Sequence, residues 1–326
     1  MRKCQGRHSN QQLLRMLGDA LRKECARWST RSYPLPSKAA SQEDVGLHRD
    51  ATVKYLADLN EKFDFFPETF FLSVTILDQF ISIVKAKPRH IKLIGVTALY
   101  LAAKIKEEDE VIPGTLEFVR VSACGCSQAE VLRMERCMLD KLSWDLSFAT
   151  PLDFLHVFHA LLFINVPHLL DNCGHMTPAR QLTLVTAKME RCVVNRLSLQ
   201  HAPSTLALAL LSLELELFSP NWLSITYTLQ KMVQIDNDEL ISCRETCAKC
   251  LQSMARSNRY VYASKSPSPA AKSTPTKRRR VVQDDDDDDD IYYGIKQLYE
   301  DNSTCSSQAR SVEEVSTSAA LRAIVI

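Results

Sequence analysis

Glycine is scarce in this chain, eight in 326 residues, and none of them builds a phosphate-cradling loop ahead of a helix. No nucleophile elbow or convergent acid–base set is visible either, so the sequence is expected to catalyse nothing. The alternation of β-branched and polar residues that marks strands is rare, which excludes a sheet-based fold. No apolar run reaches the ~18 residues of a membrane-spanning helix. The longest, TLALALLSLELELF, is broken by Glu214 and Glu216. Neither sign of charge prevails, with 40 basic against 39 acidic residues, so no global field draws the chain to nucleic acid. The opening MRKCQGRHSNQQ lacks the apolar core of a secretory signal. These absences point to a soluble intracellular protein with no cofactor, no metal, no nucleic-acid partner and no membrane.

The eleven cysteines are odd in number and follow no framework, as expected of reduced thiols in cytosol or nucleus. Cys243, Cys247 and Cys250 share one face of the last helix, and Cys124 and Cys126 flank Gly125. A metal needs about four converging ligands, and no histidine complement stands at zinc-like spacing, so these are expected to be core residues. His156 and His159, one turn apart, are expected to be hydrogen-bonded histidines of a helix surface or core.

Helix punctuation, by contrast, is frequent. Pro67, Pro88, Pro151, Pro178, Pro203 and Pro220 fall at first-turn positions. Capping boxes are expected at Ser127–Glu130, Thr150–Asp153 and Asp236–Glu239. The pattern predicts helices over 10–28, 50–63, 67–85, 88–106, 112–120 and 127–143, then 151–164, 177–198, 203–218, 220–232 and 236–255. The fold class is all-α: two tandem five-helix bundles behind an N-terminal helix. In each bundle the third helix is the most apolar and carries small residues (Gly95, Ala98, Ala102 and Ala103; Ala207 and Ala209), so it is expected to be the buried axis. The leading helix places Leu14, Leu17, Leu21, Cys25 and Trp28 on one face, the face expected to dock. The organisation that follows is an N-terminal helix and linker (1–45), two helical domains (46–146 and 147–255) and a tail (256–326).

The tail has too little apolar surface to fold alone. Lys277, Arg278, Arg279 and Arg280 form a candidate nuclear-import signal, followed by seven aspartates at 284–290. Ser266, Ser268 and Thr274 each precede proline and are candidate phosphosites. Ile291, Tyr292, Ile295, Leu298 and Tyr299 make a helical stripe over 291–299, suited to folding on a further protein partner.

Two charges fall where a helix ought to be apolar. Lys104 shares a stripe with Leu93, Thr97, Tyr100 and Leu101, and Glu135 a face with Val131, Met138, Leu139 and Leu142. Burying either alone costs several kcal/mol, so the two are expected to lie together and face a partner. Asp78 lies among Phe71, Val74 and Ile81 and needs a counter-ion of its own.

Lys104 and Glu135 on the third and fifth helices of a five-helix block resemble the cyclin box. Arg49 and Asp78 match the family's structural ion pair, and Leu93 matches the leucine opening its third helix. The strings LRMER, LDKLSWDL and ATPLDFLHVFHA are similar to cyclin sequence and IYYGIKQLYED to the cyclin I branch, so the chain resembles the atypical cyclins of the I and G type. The resemblance implies a non-catalytic regulatory subunit that binds and activates a cyclin-dependent protein kinase, in nucleus and cytoplasm. Lys104 and Glu135 would hydrogen-bond the kinase, with Leu93 and Ile105 as apolar contacts, while Arg49–Asp78 holds two helices together.

Departures from the family pattern favour an alternative, a cyclin-fold scaffold without kinase activation. The apolar substrate-docking patch is replaced by His48, Arg49, Asp50, Ala51 and Thr52, then Tyr55. The usual Phe-Glu-Glu after the helix-3 lysine reads Ile105, Lys106, Glu107. A DNA-binding cyclin repeat is disfavoured by the neutral charge.

Overall fold

The computed structural model describes residues 2–28, 40–170 and 176–263, with side chains described over 10–27, 45–170 and 176–252. Among them are eleven α-helices and no strand. They are α1 (Arg2–Trp28), α2 (Ala40–Lys62), α3 (Pro67–Ile83), α4 (Ile91–Lys106), α5 (Thr115–Ser122) and α6 (Gln128–Lys141). Then come α7 (Pro151–Asn165), α8 (Pro178–Val194), α9 (Pro203–Phe218), α10 (Trp222–Val233) and α11 (Asn237–Ala263). The chain divides into a compact unit over Met1–Ser253 and a second over Met254–Ile326. The tail residues singled out in the sequence, 266 to 299, lie outside the described residues.

The expected axes are the observed ones. Every residue of α4 from Ile91 to Ala103 is buried except Lys92, and α4 packs against α2, α3 and α6. On α9, Ser204 to Ser212 are buried, and the helix packs against α7, α8 and α10. Gly95 lets α2 and α4 approach closely: a Cβ there would meet the Thr52 methyl at 2.4 Å. Helix α2 begins well ahead of the expected residue 50, and the expected helix 177–198 ends at Val194, where Asn195 caps a short 3₁₀ segment, Arg196–Gln200.

Capping follows the sequence in two of three places. Ser127/Glu130 and Thr150/Asp153 form reciprocal boxes. At α11, Asp236 accepts from the Asp238 amide instead, and Glu239 is taken by the Thr205 hydroxyl at 3.0 Å. The starts of α3 and α9 have no side-chain cap from their N-cap residue. Each borrows a distant glutamate. Glu107 accepts from the Phe66 amide at 2.9 Å and from the Thr69 hydroxyl. Glu24 of α1 accepts from the Ser204 amide and hydroxyl, both at 2.7 Å. The docked face of α1 is therefore rotated from expectation: Leu17 is buried, Glu24 points inward and Cys25 is exposed. Replacing Glu107 with alanine is expected to lower stability by about 1 kcal/mol, the worth of an N-cap, with Glu107→Gln intermediate. Urea unfolding checks this, and equal midpoints would show that the cap contributes nothing.

Arg49 joins the two bundles. It is 1% exposed and donates Nε and Nη2 to the two oxygens of Asp78, each at 2.9 Å. Its Nη1 reaches the carbonyls of Val193 and Val194, at 2.9 and 2.8 Å, at the end of α8. The cation thus also meets the negative end of a helix from the other bundle.

Burial pulls the imidazoles of His90, His159 and His201 below their usual pKa. His159 Nε2 has no hydrogen-bond partner, while hydrogen bonding with Gln181 and Pro178 opposes part of the burial effect on its ring. The unfolded chain then binds protons more readily than the folded one. Stability is full above the unfolded imidazole value of about 6.5 and falls as pH drops through it toward the folded values. A urea midpoint lower at about pH 5.5 than at about pH 7.5 is expected. An unchanged midpoint would mean that these rings titrate alike in both states.

Candidate functional site

The site forms where the end of α4 meets the middle of α6. The capping box at Ser127 and Glu130 sets the start of α6, and Glu135 then faces α4. Lys104 lies in the last turn of α4, where a cation also complements the helix dipole. Its Nζ donates to Glu135 Oε1 at 2.5 Å and sits 4.4 Å from the centre of the Tyr100 ring. Beneath it runs an aromatic column: Tyr100 against Phe118 at 4.9 Å, Phe118 stacked on Phe63 at 4.9 Å, and Phe63 on Phe65 at 5.2 Å. This column fixes the floor of the site, because cation–π contact and stacking both restrict the lysine's rotamers.

The pair is not fully buried. The Lys104 side chain is 40% exposed and that of Glu135 13%. The reason is position: both residues sit at the rim of the apolar stripe, where α4 ends and solvent begins. Around them exposed apolar side chains gather. Ile105 follows Lys104, and Leu132 precedes Glu135 by one turn. Glu107 ties the exposed Phe66 to the end of α4, and the Tyr100 hydroxyl, 2.9 Å from Thr115 Oγ1, brings the exposed Leu116 alongside. An ion pair with unused hydrogen-bonding capacity, ringed by exposed apolar groups, is suited to a protein partner rather than to a small molecule.

Of the residues singled out in the sequence, Lys104, Glu135 and Ile105 come together. Leu93 does not. It is 4% exposed near the opposite end of α4, about 16 Å of helix rise from Lys104, and its side chain belongs to the core. Arg49 and Asp78 pair as expected, but at the junction with α8, and the carbonyls of Val193 and Val194 carry no sequence signal for that contact. Phe66, Leu116 and Leu132 went unnoticed; an apolar residue preceding a charged helix rim was the available sign. The Tyr55 hydroxyl donates to the Ser122 carbonyl and its ring lies under Lys92 Nζ at 4.6 Å, whereas His48 and Ala51 are exposed.

Cys243, Cys247 and Cys250 are buried, and Cys192 of α8 joins them. Thiol donation from Cys192 and Cys243 pulls the Cys247 pKa down to about 4 and pushes the two donors up. No group of three or more His, Cys, Asp or Glu among the described residues has the arrangement of a metal site. None of the described helices is long and apolar enough to cross a membrane.

The fold and the paired charges define a two-bundle helical protein of the cyclin type. Residues 20–147 match the family model "Cyclin, N-terminal domain". Human Cyclin-I2 is 35% identical over 217 residues, covering 67% of this chain and 59% of that protein. Human Cyclin-G2 is 35% identical over 250 residues, covering 75% and 70% respectively. The solved viral cyclin from herpesvirus saimiri has the same fold, with a TM-score of 0.51 at 17% identity over 62% of this chain and 85% of its own. The chain belongs to the cyclin family.

Proposed function

We propose that this chain is a non-catalytic regulatory subunit that binds a cyclin-dependent protein kinase and holds it in its active conformation. The observation that carries this reading is the Lys104–Glu135 pair, presented at the surface on an aromatic floor within an apolar ring. Lys104 has ammonium protons beyond the one used by Glu135, and Glu135 has a second oxygen. Together they offer a donor and an acceptor to backbone groups of a partner, while Ile105, Phe66 and Leu132 exclude water around them. Activation follows by population shift: a subunit that binds the active kinase conformer better stabilises it by that difference in affinity. Catalytic groups come from the kinase. Kinases recovered with the tagged chain and then assayed on a protein substrate test the proposal. Recovery of an inactive kinase, or of none, overturns it.

The departures at Ile105 and Lys106 and at His48–Thr52 favour a second reading, a scaffold whose partners bind without being activated. Residues 277–280 support a nuclear share of the protein, and their replacement by alanine is expected to move it to the cytoplasm. An unchanged distribution by microscopy removes the import role.

A further inference from the structure

Between α5 and α6 the chain makes a short turn that carries two thiols, Cys124 and Cys126, around Gly125. The turn has a distinctive geometry. Gly125 has φ +80°, a conformation open to glycine and costly for other residues, and a Cβ there would meet nothing within 4 Å. The Cys126 amide donates to Cys124 Sγ at 3.4 Å, and the Cys126 thiol lies 3.9 Å from the Cys124 carbonyl oxygen. The two thiols are also close enough to hydrogen-bond to each other. Residues two apart span at most about 7 Å, and a turn is shorter, which falls in the range of about 4.4–6.8 Å that a disulfide bridges. The ends of the turn are fixed, by Tyr55 on the Ser122 carbonyl and by Ser127 capping α6, whereas Gly125, without a Cβ, has the wide backbone range that closing a bridge requires.

We propose that Cys124 and Cys126 form a redox-modification site, which a hydroperoxide oxidises to an intramolecular disulfide and a dithiol reduces again. The Cys124 thiolate attacks the peroxide oxygen, giving a sulfenic acid and hydroxide, or alkoxide from an organic peroxide. The Cys126 thiol then attacks the Cys124 sulfur. The S–S bond forms, the S–O bond breaks, and the sulfenic oxygen leaves as water with the thiol proton. The pair loses two electrons and the peroxide gains them.

The electrostatics agree with this order of events. Donation from Cys126 holds the Cys124 thiol pKa well below its usual value, at about 5, while Cys126 is pushed up. The first is thus the thiolate that reacts and the second the thiol that resolves. Hydrogen bonding to Cys124, burial and the nearby Glu130 all keep Cys126 protonated until it attacks, with Lys92 opposing them only in part. Access separates this pair from the other thiols described. Cys247 is also strongly acidified, but it and its neighbours Cys192 and Cys243 have no exposed surface. Cys25 is exposed but lies apart on α1. Cys126 is part-exposed, and Cys124, though mostly buried, keeps 9% of its surface exposed.

Trypsin cleavage after Arg120 and Arg133 releases residues 121–133, a peptide holding these two cysteines and no other. The reduced full chain is treated with hydrogen peroxide in slight excess, alkylated, digested and weighed. The expected peptide is lighter by two hydrogens and carries no alkyl group, and treatment with dithiothreitol before alkylation restores two labels. In the Cys126→Ser variant oxidation is expected to stop at a sulfenic acid on Cys124, trapped as a dimedone adduct. A doubly alkylated peptide at a peroxide dose that modifies Cys25, over-oxidation without a disulfide, or pairing of either cysteine elsewhere overturns the proposal. The wild-type measurement decides the matter even where the variant folds poorly.

Discussion

Replacing Asp78 with alanine is expected to destabilise the protein by about 3–5 kcal/mol, the usual cost of breaking a buried ion pair. Most of that cost is what remains behind. Arg49 cannot shed its charge, and at 1% exposure it cannot reach water. Without the carboxylate, Nε and Nη2 lose its two oxygens, while Nη1 stays fastened to the carbonyls of Val193 and Val194 and to Asp50. Small domains are stable by roughly 5–15 kcal/mol in total, so the variant approaches the unfolding threshold. Low soluble yield and a large fall in the urea midpoint are the expected readouts. A folded Asp78→Ala protein with the wild-type melting temperature would show that the pair does not hold α2 to α3. The double variant Arg49→Met with Asp78→Leu separates two contributions. It removes the guanidinium that has lost its Asp78 partner, and so recovers part of the loss, but it also leaves Asp50 and the two α8 carbonyls without this donor. Recovery is therefore expected to be incomplete.

Lys104→Ala and Glu135→Ala are expected to do the reverse: spare the fold and remove the partner. The pair is partly exposed, and breaking such pairs costs the free protein about 0–1 kcal/mol. Circular dichroism and melting temperature should stay close to wild type. At a closed interface the same groups are desolvated, and truncating one leaves the other, or a kinase backbone group, unpaired. That costs about 2–5 kcal/mol. At about 1.4 kcal/mol per decade, affinity for the kinase falls roughly 30- to several-thousand-fold, enough to abolish co-purification. The scaffold reading expects these variants to keep their principal partners. Folded Lys104→Ala and Glu135→Ala proteins that recover every wild-type partner, a kinase among them, would end the activator proposal.

These two experiments form a pair. In one, the buried Arg49–Asp78 pair is expected to govern stability. In the other, a part-exposed pair of opposite charges is expected to govern recognition and to contribute little to stability. The sequence presented both as charges on apolar helix faces. Burial separates them, since the dielectric around each decides whether a lost partner costs several kcal/mol or almost nothing.

By itself the sequence determined the helical class, most helix positions and the two buried axes. Those features are local: proline at first turns, capping residues three apart, and apolar residues repeating at helical spacing around Gly95, Ala102 and Ala207 are all set within one or two turns of chain. It also marked Lys104, Glu135, Arg49 and Asp78, because a charge within an apolar stripe stands out without reference to neighbours. The tertiary structure alone decided what each of them meets. Glu107 and Glu24 cap helices that begin far from them in the chain, and spacing cannot announce a cap borrowed across the fold. Arg49 reaches backbone carbonyls, which every residue possesses, so no residue type foretold Val193 and Val194. Leu93 went to the core and Cys25 to the surface because helical periodicity gives the spacing of a face, not its direction. Direction comes from the neighbouring helices, and only packing supplies those.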